Sequence, residues 1–428
     1  MSSEAIPLAQ NRVLAQGSAL PVAGGEFRAG WRVVLACFSA AIVAWGFAAF
    51  GPGVYLAELQ RQHEWPAAAI GAGTSLAFVV GPLLLPWVGA AVERFGPRAV
   101  LSGGVLLIGF GAIGLSRSAA LWQLYACDLL IGCGWAGASS TAISTVLAQH
   151  FDLRRGLALS LALTGASAGG FAVAPALVGL NQHYGFQTAV PALAAALLTI
   201  TLPLVWLGIR GSGPASHAPP VVAGITATLP ALSSRALAMR DARFWSVAAP
   251  FALAIAAQVG MMVVQVSYLL PLLGAGGTSL ALFGTSIAGA AGRLVIGAVI
   301  DRLDQRLVAA ATFAGQACSL AMMATLPGSP ATLYAGSVGF GLGMGNVVAL
   351  PSLLIQREFA ASSFALALGL STAVGQIAYS LSPTLLGLVR DLTGGYRATL
   401  VVCIVLQAGA ALLVLRRPGR GKLIDRRA

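Results

Sequence analysis

Two ionisable side chains lie deep inside long apolar stretches of the sequence, where a charge is costly. Arg293 stands eight residues before Asp301 in one such stretch, and Asp128 stands seven residues after Leu121 in another. An unpaired charge at the centre of a bilayer costs roughly 2.5–3.5 kcal/mol even on lenient insertion scales. Each side chain is therefore expected to face a wet cavity, a partner or a bound ligand.

Arg293 has the chemistry of an anion-binding residue. A guanidinium group offers a planar fork of donors that matches a carboxylate, and it stays protonated in any surroundings. The alternative is a structural arginine that reaches toward the cytoplasm or pairs with helix carbonyls.

Asp128 has the chemistry of a proton carrier. Acidic side chains inside membrane-spanning segments serve as proton relays in pumps and transporters. Asp128 is thus a candidate for proton coupling; the alternative is an acid near the outer end of its helix that is solvated or hydrogen-bonded to a neighbouring helix.

Uncharged polar and aromatic side chains near the centres of apolar stretches extend the candidate binding site. These residues are Gln258, Gln265, Asn346, Gln376, Tyr379, Trp45 and Trp135. An amide can hydrogen-bond a substrate oxygen but cannot neutralise a second negative charge, which favours a monoanion as ligand. Each amide alone is equally suited to bridging two helices, and the aromatic residues also suit packing.

The composition restricts the class of protein. Of the 428 residues, 57% are hydrophobic and only 9% are charged, whereas soluble domains carry about 25% charged residues. A secreted disulfide scaffold, a disordered chain and a soluble enzyme are excluded. Nearly all of the basic residues behind the net charge of +12 lie between the apolar stretches, which indicates membrane topology rather than nucleic-acid binding. The five Cys and four His show no ligand spacing, so no metal and no cofactor are expected.

Twelve apolar runs are each long enough to span about 30 Å of hydrocarbon as a helix. The sequence therefore predicts an all-α membrane protein of twelve transmembrane helices in two pseudo-symmetric six-helix bundles. The predicted divisions are an N-terminal segment (1–30), a first bundle (31–209), a linker (210–243), a second bundle (244–415) and a basic tail (416–428).

The distribution of basic residues predicts the orientation. If both termini are cytoplasmic, 20 of the 25 Lys and Arg residues lie on the cytoplasmic side and four on the other. This bias follows the positive-inside rule. The expected location is the cell inner (plasma) membrane, with multiple passes.

The two halves of the chain share a motif. The first copy comprises Gly89, Glu93, Arg94, Gly96 and Arg98, and the second comprises Gly297, Asp301, Arg302 and Arg306, with Asp304 at the position of Gly96. Parallel repeats of six helices imply a binding site near the midplane, between halves that rock about it. The acid and arginines at the ends of adjacent helices suit a gating latch that pairs in one state of the protein.

The motif copies resemble the signature of the major facilitator superfamily of secondary transporters, from about residue 31 to 415. Within it, several stretches are similar to the monocarboxylate and oxalate/formate branch: Phe151–Ala158, Gly165–Gly170, Tyr268–Gly274 and Gly292-Arg293. The resemblance implies a small organic anion as substrate, moved with a proton or in exchange for a counter-anion. It also implies that Arg293 holds the substrate anion.

Three functions fit these observations. The first is secondary transport of a monocarboxylate-like anion by alternating access, in a protein that is expected to be a monomer in the lipid bilayer. The second is proton-coupled efflux of a hydrophobic or cationic compound, with Asp128 as counter-charge. The third is a non-transporting membrane sensor with the same fold. No nucleotide-binding or hydrolase motif is present in the sequence, so an enzyme is not expected.

Overall fold

A computed structural model describes residues 23–151, 154–209, 240–300, 303–359 and 361–416 of the chain. Across these ranges the chain forms helices and no strand. The predicted linker and tail fall almost entirely outside the described residues, as do most of the N-terminal segment and the motif residues Asp301 and Arg302.

The first half of the chain forms six helical spans, two of which contain a short π-helical segment. In chain order they are α1 (Ala23–Val43, Ala44–Phe50 and Gly51–His63), α2 (Ala67–Phe95), α3 (Pro97–Ser116), α4 (Leu121–Ala138 and Ser140–Ala148), α5 (Arg155–Ala168, Gly169–Val173 and Ala174–Tyr184) and α6 (Phe186–Gly208).

The second half begins with one continuous helical stretch, Ala242–Val299, which contains two antiparallel arms. The stretch is broken at Gly274, whose φ of 66° lies in the left-handed region that glycine tolerates. Gln265 Nε2 donates to Thr285 Oγ1 at 3.1 Å, so the chain folds back on itself around this glycine. We label the arms α7 (242–273) and α8 (275–299). They are followed by α9 (Gln305–Thr325), α10 (Pro330–Glu358), α11 (Ala361–Thr393) and α12 (Tyr396–Val414).

The helices have the length and surface of membrane spans. Within the described residues, nine helices are long and apolar enough to cross a membrane, or ten if the bent α10 is one span, with α7 and α8 counted together. Large apolar side chains such as Trp87, Trp122 and Trp206 are exposed. A bilayer covers such surface, while helices satisfy their own backbone hydrogen bonds. The chain is a multi-pass membrane protein.

Successive helices run in opposite directions. Consequently α1 begins and α12 ends at one face, which we call the terminal face, and the opposite face is the far face. At the terminal face, Arg98 at the start of α3 donates to the carbonyl of Ile209 after α6.

The π-helical segments of α1 and α5 pack against each other. A Cβ at Gly46 would lie 2.7 Å from Val173 Cβ, and one at Gly169 would lie 2.7 Å from Gly46 N. Glycine is therefore required for this close approach. Because π-bulges occur frequently at functional sites, this crossing marks a region of interest.

Candidate functional site

A cavity of about 180 Å³ lies between the two halves of the chain. Both halves contribute to its wall, with α1 and α5 on one side and α7, α8, α10 and α11 on the other. The lining residues include Trp45, Phe50, Ser167, Gln258, Met262, Thr285, Ser286, Gly289, Arg293, Met344, Gly345 and Tyr379. At about 10–15 Å³ per water position, the cavity holds on the order of a dozen water molecules or a small organic ligand.

Arg293 on α8 is the charged residue of this lining. Its side chain is exposed and runs beside α10, where a Cβ on Gly345 would lie 3.0 Å from Arg293 Nε. Among the described residues, Arg293 has no ion pair with an acid. Within the described part of the chain, the guanidinium group is therefore an unpaired cation at the cavity wall, with donors available to an anionic ligand.

Trp45, Gln258 and Tyr379 are the other predicted binding residues that line the cavity. Trp45 lies in the π-helical segment of α1, and its ring is 4.7 Å from that of Trp135. Trp135 is not among the lining residues, so it contacts Trp45 without lining the cavity itself. The ring of Tyr379 packs at 4.6 Å from that of Phe78 on α2.

The three remaining predicted amides hydrogen-bond to the protein and are not part of the lining. Gln265 donates to Thr285, as described above, and Asn346 donates to Leu342 O at 3.2 Å. Gln376 on α11 donates to Phe78 O on α2 at 3.3 Å. The first two amides join residues of the second half, whereas Gln376 joins the two halves.

Asp128 on α4 is placed away from the cavity lining. It is only 3% exposed and packs against α2, where a Cβ on Gly73 would collide with Asp128 Oδ2. Tyr55 on α1 lies within electrostatic range of Asp128, and its buried hydroxyl lacks a hydrogen-bond partner among the described residues. The structure therefore does not bring Asp128 and Arg293 together.

Hydrogen bonds join the two halves at the far face. The carboxylate of Asp391 at the end of α11 accepts hydrogen bonds from Ala67 N at 3.0 Å and Ala68 N at 2.8 Å, at the start of α2. Further along the same pair of helices, Thr384 Oγ1 and Ser75 Oγ lie 2.8 Å apart. The carboxylate caps the positive end of α2, which is favourable for a helix N-terminus.

The two copies of the repeated motif differ in their local structure. Gly96 has a φ of 83° at the start of α3, whereas Asp304 has a φ of −71° at the start of α9 and accepts a hydrogen bond from Arg306 N at 2.9 Å. A side-chain cap thus replaces the glycine turn, which explains why the second copy carries an aspartate. Glu93 and Arg94 are exposed, and Gly89, inside α2, has open space for a side chain.

Arg306 is the most heavily bonded residue of the motif copies within the described ranges. Its guanidinium group contacts the Glu358 carboxylate at 2.5 and 2.6 Å, Val414 O at 2.6 Å, Arg416 O at 2.7 Å and Ser246 Oγ at 2.9 Å. It joins the ends of α7, α10 and α12 at the terminal face. These contacts lie within the second half and do not cross to the first.

Sequence reasoning did not select Asp391, Ser167 or Ser286. Asp391 stands at the end of an apolar run, where a charge is ordinary, and its role depends on which helix end it meets. A serine inside a membrane span does not carry the high free-energy cost of a charged residue, so the sequence does not mark out Ser167 or Ser286. No local signal in the sequence marks Asp391, because the helix N-terminus that it caps lies 324 residues away in the chain.

Comparison with known proteins identifies related chains. The chain matches the family model described as Major Facilitator Superfamily over residues 36–383 and over 273–427. It is 30% identical to monocarboxylate transporter 13 of Bos taurus over 406 residues, which cover 92% of this chain and 88% of that protein. It is 29% identical to monocarboxylate transporter 11 of Mus musculus, with 87% and 84% coverage.

Solved structures share the fold at low sequence identity. The nucleoside transporter NupG superimposes with a TM-score of 0.71 at 12% identity, covering 89% of this chain and 98% of that one. A bacterial homologue of the human lysosomal transporter Spinster, in an inward-facing and occupied conformation, gives a TM-score of 0.68 at 13% identity, with 89% and 95% coverage. These similarities confirm the predicted fold class.

Proposed function

Because the chain belongs to the major facilitator superfamily and is a homologue of monocarboxylate transporters, we propose that it moves a small, singly charged organic anion across the inner membrane by alternating access. Membership confirms the resemblance predicted from the motif copies. It also makes the protein a transporter rather than an enzyme. Three parts of the proposal go beyond family membership: the negative charge of the substrate, the coupling of its transport and the location in the inner membrane.

The observation that carries the proposal is Arg293 at the wall of the cavity between the halves. An arginine without an ion-pair partner in the described structure is tolerated at this depth if water or an anion reaches it. The remaining polar side chains of the wall are one neutral amide, Gln258, and several hydroxyl groups, so they offer hydrogen bonds and no second positive charge. This composition favours a monocarboxylate over a dicarboxylate.

The contacts between the halves support alternating access. Asp391, Ser75 and Thr384 join α2 to α11 at the far face, whereas the Arg306 contacts at the terminal face stay within one half. In the proposed cycle this arrangement is the state closed to the far side. With the terminal face cytoplasmic, as the basic residues predict, the closed side is the outside.

Asp128 is the proposed proton carrier. Its burial beside Gly73, without an ion-pair partner among the described residues, provides a site at which a proton can be held without a permanent counter-charge. Since Asp128 is separate from the cavity lining, proton binding would act on the packing of α2 against α4 rather than on the anion directly. Exchange of one anion for another would not require this residue.

Counterflow in proteoliposomes tests the proposal. Purified protein is first screened by thermal shift against monocarboxylates, amino acids and cationic drugs, because a bound ligand raises the apparent stability. The best anion is then measured in wild type, in Arg293→Gln and in Arg293→Lys. Both variants are expected to lose counterflow while they insert normally. Arg117→Gln, at an exposed arginine of the far face, is the matched control and should retain it.

Two other functions are outcomes of the same experiment. Stabilisation by cationic drugs, with flux that depends on Asp128, would support efflux instead; the absence of Asp128 from the cavity lining argues against it. Ligand binding without flux would support a sensor. Counterflow of the anion that survives Arg293→Gln would remove Arg293 from the site and overturn the proposal.

A further inference from the structure

Three buried glutamines form a hydrogen-bonded row that ends at the cavity. Gln407 on α12 donates through Nε2 to Gln316 Oε1 on α9 at 2.8 Å. Gln316 donates through Nε2 to Gln258 Oε1 on α7 at 3.4 Å. Gln316 and Gln407 are fully buried, and Gln258 is 5% exposed and lines the cavity. We call these three residues the amide row.

Backbone carbonyls fix the direction of two amides in the row, those of Gln316 and Gln407. Gln316 Nε2 also donates to Phe340 O at 3.1 Å, and Gln407 Nε2 also donates to Ala254 O at 3.3 Å. If either amide were reversed, its oxygen would face a carbonyl oxygen. That contact is unfavourable, because neither oxygen has a proton to donate. The row therefore has one favourable direction, with NH2 groups pointing toward Gln258.

This direction determines which end of Gln258 faces the ligand. Its Oε1 is occupied by Gln316, and its NH2 group has no acceptor on the protein among the described residues. A reversed Gln258 would place its NH2 group against that of Gln316 and leave a carbonyl at the cavity. Because hydrogen-bonded amides in a row polarise one another, the donor at the end is also strengthened.

The packing around the row leaves little room for another arrangement. A Cβ on Gly343 of α10 would lie 2.6 Å from Gln316 Cγ and 2.8 Å from Gln316 Nε2. Glycine at this position thus allows α9 and α10 to approach with the amide between them. The side chain of Gln316 is fixed by contact as well as by its hydrogen bonds.

We propose that Gln316 and Gln407 are positioning residues for substrate selection, which hold the NH2 end of Gln258 toward the carboxylate bound at Arg293. The inference rests on the proposed function and adds a second determinant of specificity to it. Arg293 selects for negative charge, whereas the amide row selects for a ligand atom that accepts hydrogen bonds. A ligand that presents an NH2 group at this position is disfavoured, because two donors then face each other.

The experiment compares a carboxylate with its own amide. The probe is the best stabiliser among formate, propionate, pyruvate, lactate and benzoate, and its uncharged amide is the competitor. Gln316→Met removes the hydrogen bonds of the row and keeps the side-chain volume. Since the hydrogen bond that is lost is one to a charged group, the preference for carboxylate over amide should fall by roughly 10-fold or more. The maximal transport rate should change little.

A double-mutant cycle separates positioning from general destabilisation. In a Gln258→Met background, adding Gln316→Met should have no further effect on the preference, because its only route to the ligand is already gone.

Gln407→Met and Gly343→Ala perturb the row from two other positions and should lower the preference in the same direction. They keep the test decisive if Gln316→Met folds poorly. Thr312→Val is the control, since Thr312 is buried on α9 and, among the described residues, bonds only Val308 O of its own helix at 2.8 Å.

The outcomes distinguish the inference from the function on which it rests. If no carboxylate stabilises the wild-type protein, the anion site fails, and the amide row fails with it. If a carboxylate binds through Arg293 but the Gln316 and Gln258 effects simply add, the positioning role is overturned and the transport proposal stands. Equal losses for Thr312→Val and Gln316→Met would also overturn it.

Discussion

The side chain of Arg293 extends along the bare backbone of Gly345, so that these two residues of α8 and α10 share one narrow part of the cavity wall. A Cβ on Gly345 would lie 2.8 Å from Arg293 Cβ, 3.0 Å from Arg293 Nε and 2.7 Å from Gly289 O. The glycine sets both the path of the arginine and the distance between the two helices. A change at Gly345 is thus a change in the position of the positive charge.

Gly345→Ala is expected to raise the KM for the anion roughly 10-fold, because displacement of the guanidinium group weakens a charge-assisted hydrogen bond. Initial rates of uptake at varied substrate concentration measure this effect. Gly409→Ala on α12 is the matched control, since that glycine has open space around it. An unchanged KM in Gly345→Ala would mean that binding of the anion does not depend on the present path of the Arg293 side chain.

Asp391→Ala should shift the protein toward states that are open at the far face. A side chain that caps a helix N-terminus contributes about 0.5–2 kcal/mol, so the closed population should fall about 2- to 30-fold relative to the open one. Spin labels at Arg117 and Arg397, both exposed at the far face on opposite halves, report the change as longer distances. The five native cysteines are replaced first. Identical distance distributions in Asp391→Ala and in the control Glu64→Gln would exclude the carboxylate from closure.

Asp128→Asn is expected to separate proton-driven uptake from exchange. A carboxamide has nearly the same shape as the carboxyl group but does not bind and release a proton as that group does. Accumulation driven by an imposed pH gradient should be lost, while counterflow at equal pH on both sides persists. Glu64→Gln, at an exposed acid of the far face, should retain both activities. Undiminished accumulation in Asp128→Asn would assign proton coupling to another group.

Arg306→Ala should destabilise the second half strongly. The arginine side chain is 5% exposed, and its removal leaves the Glu358 carboxylate without its cation at the terminal face. Breaking a buried pair from one side costs about 3–5 kcal/mol. The Tm of the purified protein should drop by clearly more than in Arg94→Ala, which removes the exposed arginine of the first motif copy. Equal Tm values would show that the buried contacts are dispensable.

The sequence alone determined the features that depend on short stretches of chain. The length of each apolar run decides whether it spans a bilayer, because a helix must satisfy its backbone hydrogen bonds inside one segment. The repeated motif identified the two halves and the family. Arg293 and Asp128 were recognisable because the cost of burying a charge applies whatever the neighbouring helices are.

Only the tertiary structure decided which polar groups remain available to a ligand. Gln258, Gln265 and Asn346 look alike in sequence, yet Gln258 alone of the three lines the cavity, while the other amides donate to Thr285 and Leu342. The row from Gln407 to Gln258, and the cap of Asp391 on α2, join residues far apart in the chain. Such pairings depend on the rotation and spacing of whole helices, which are set by packing across the bundle and leave no local signal.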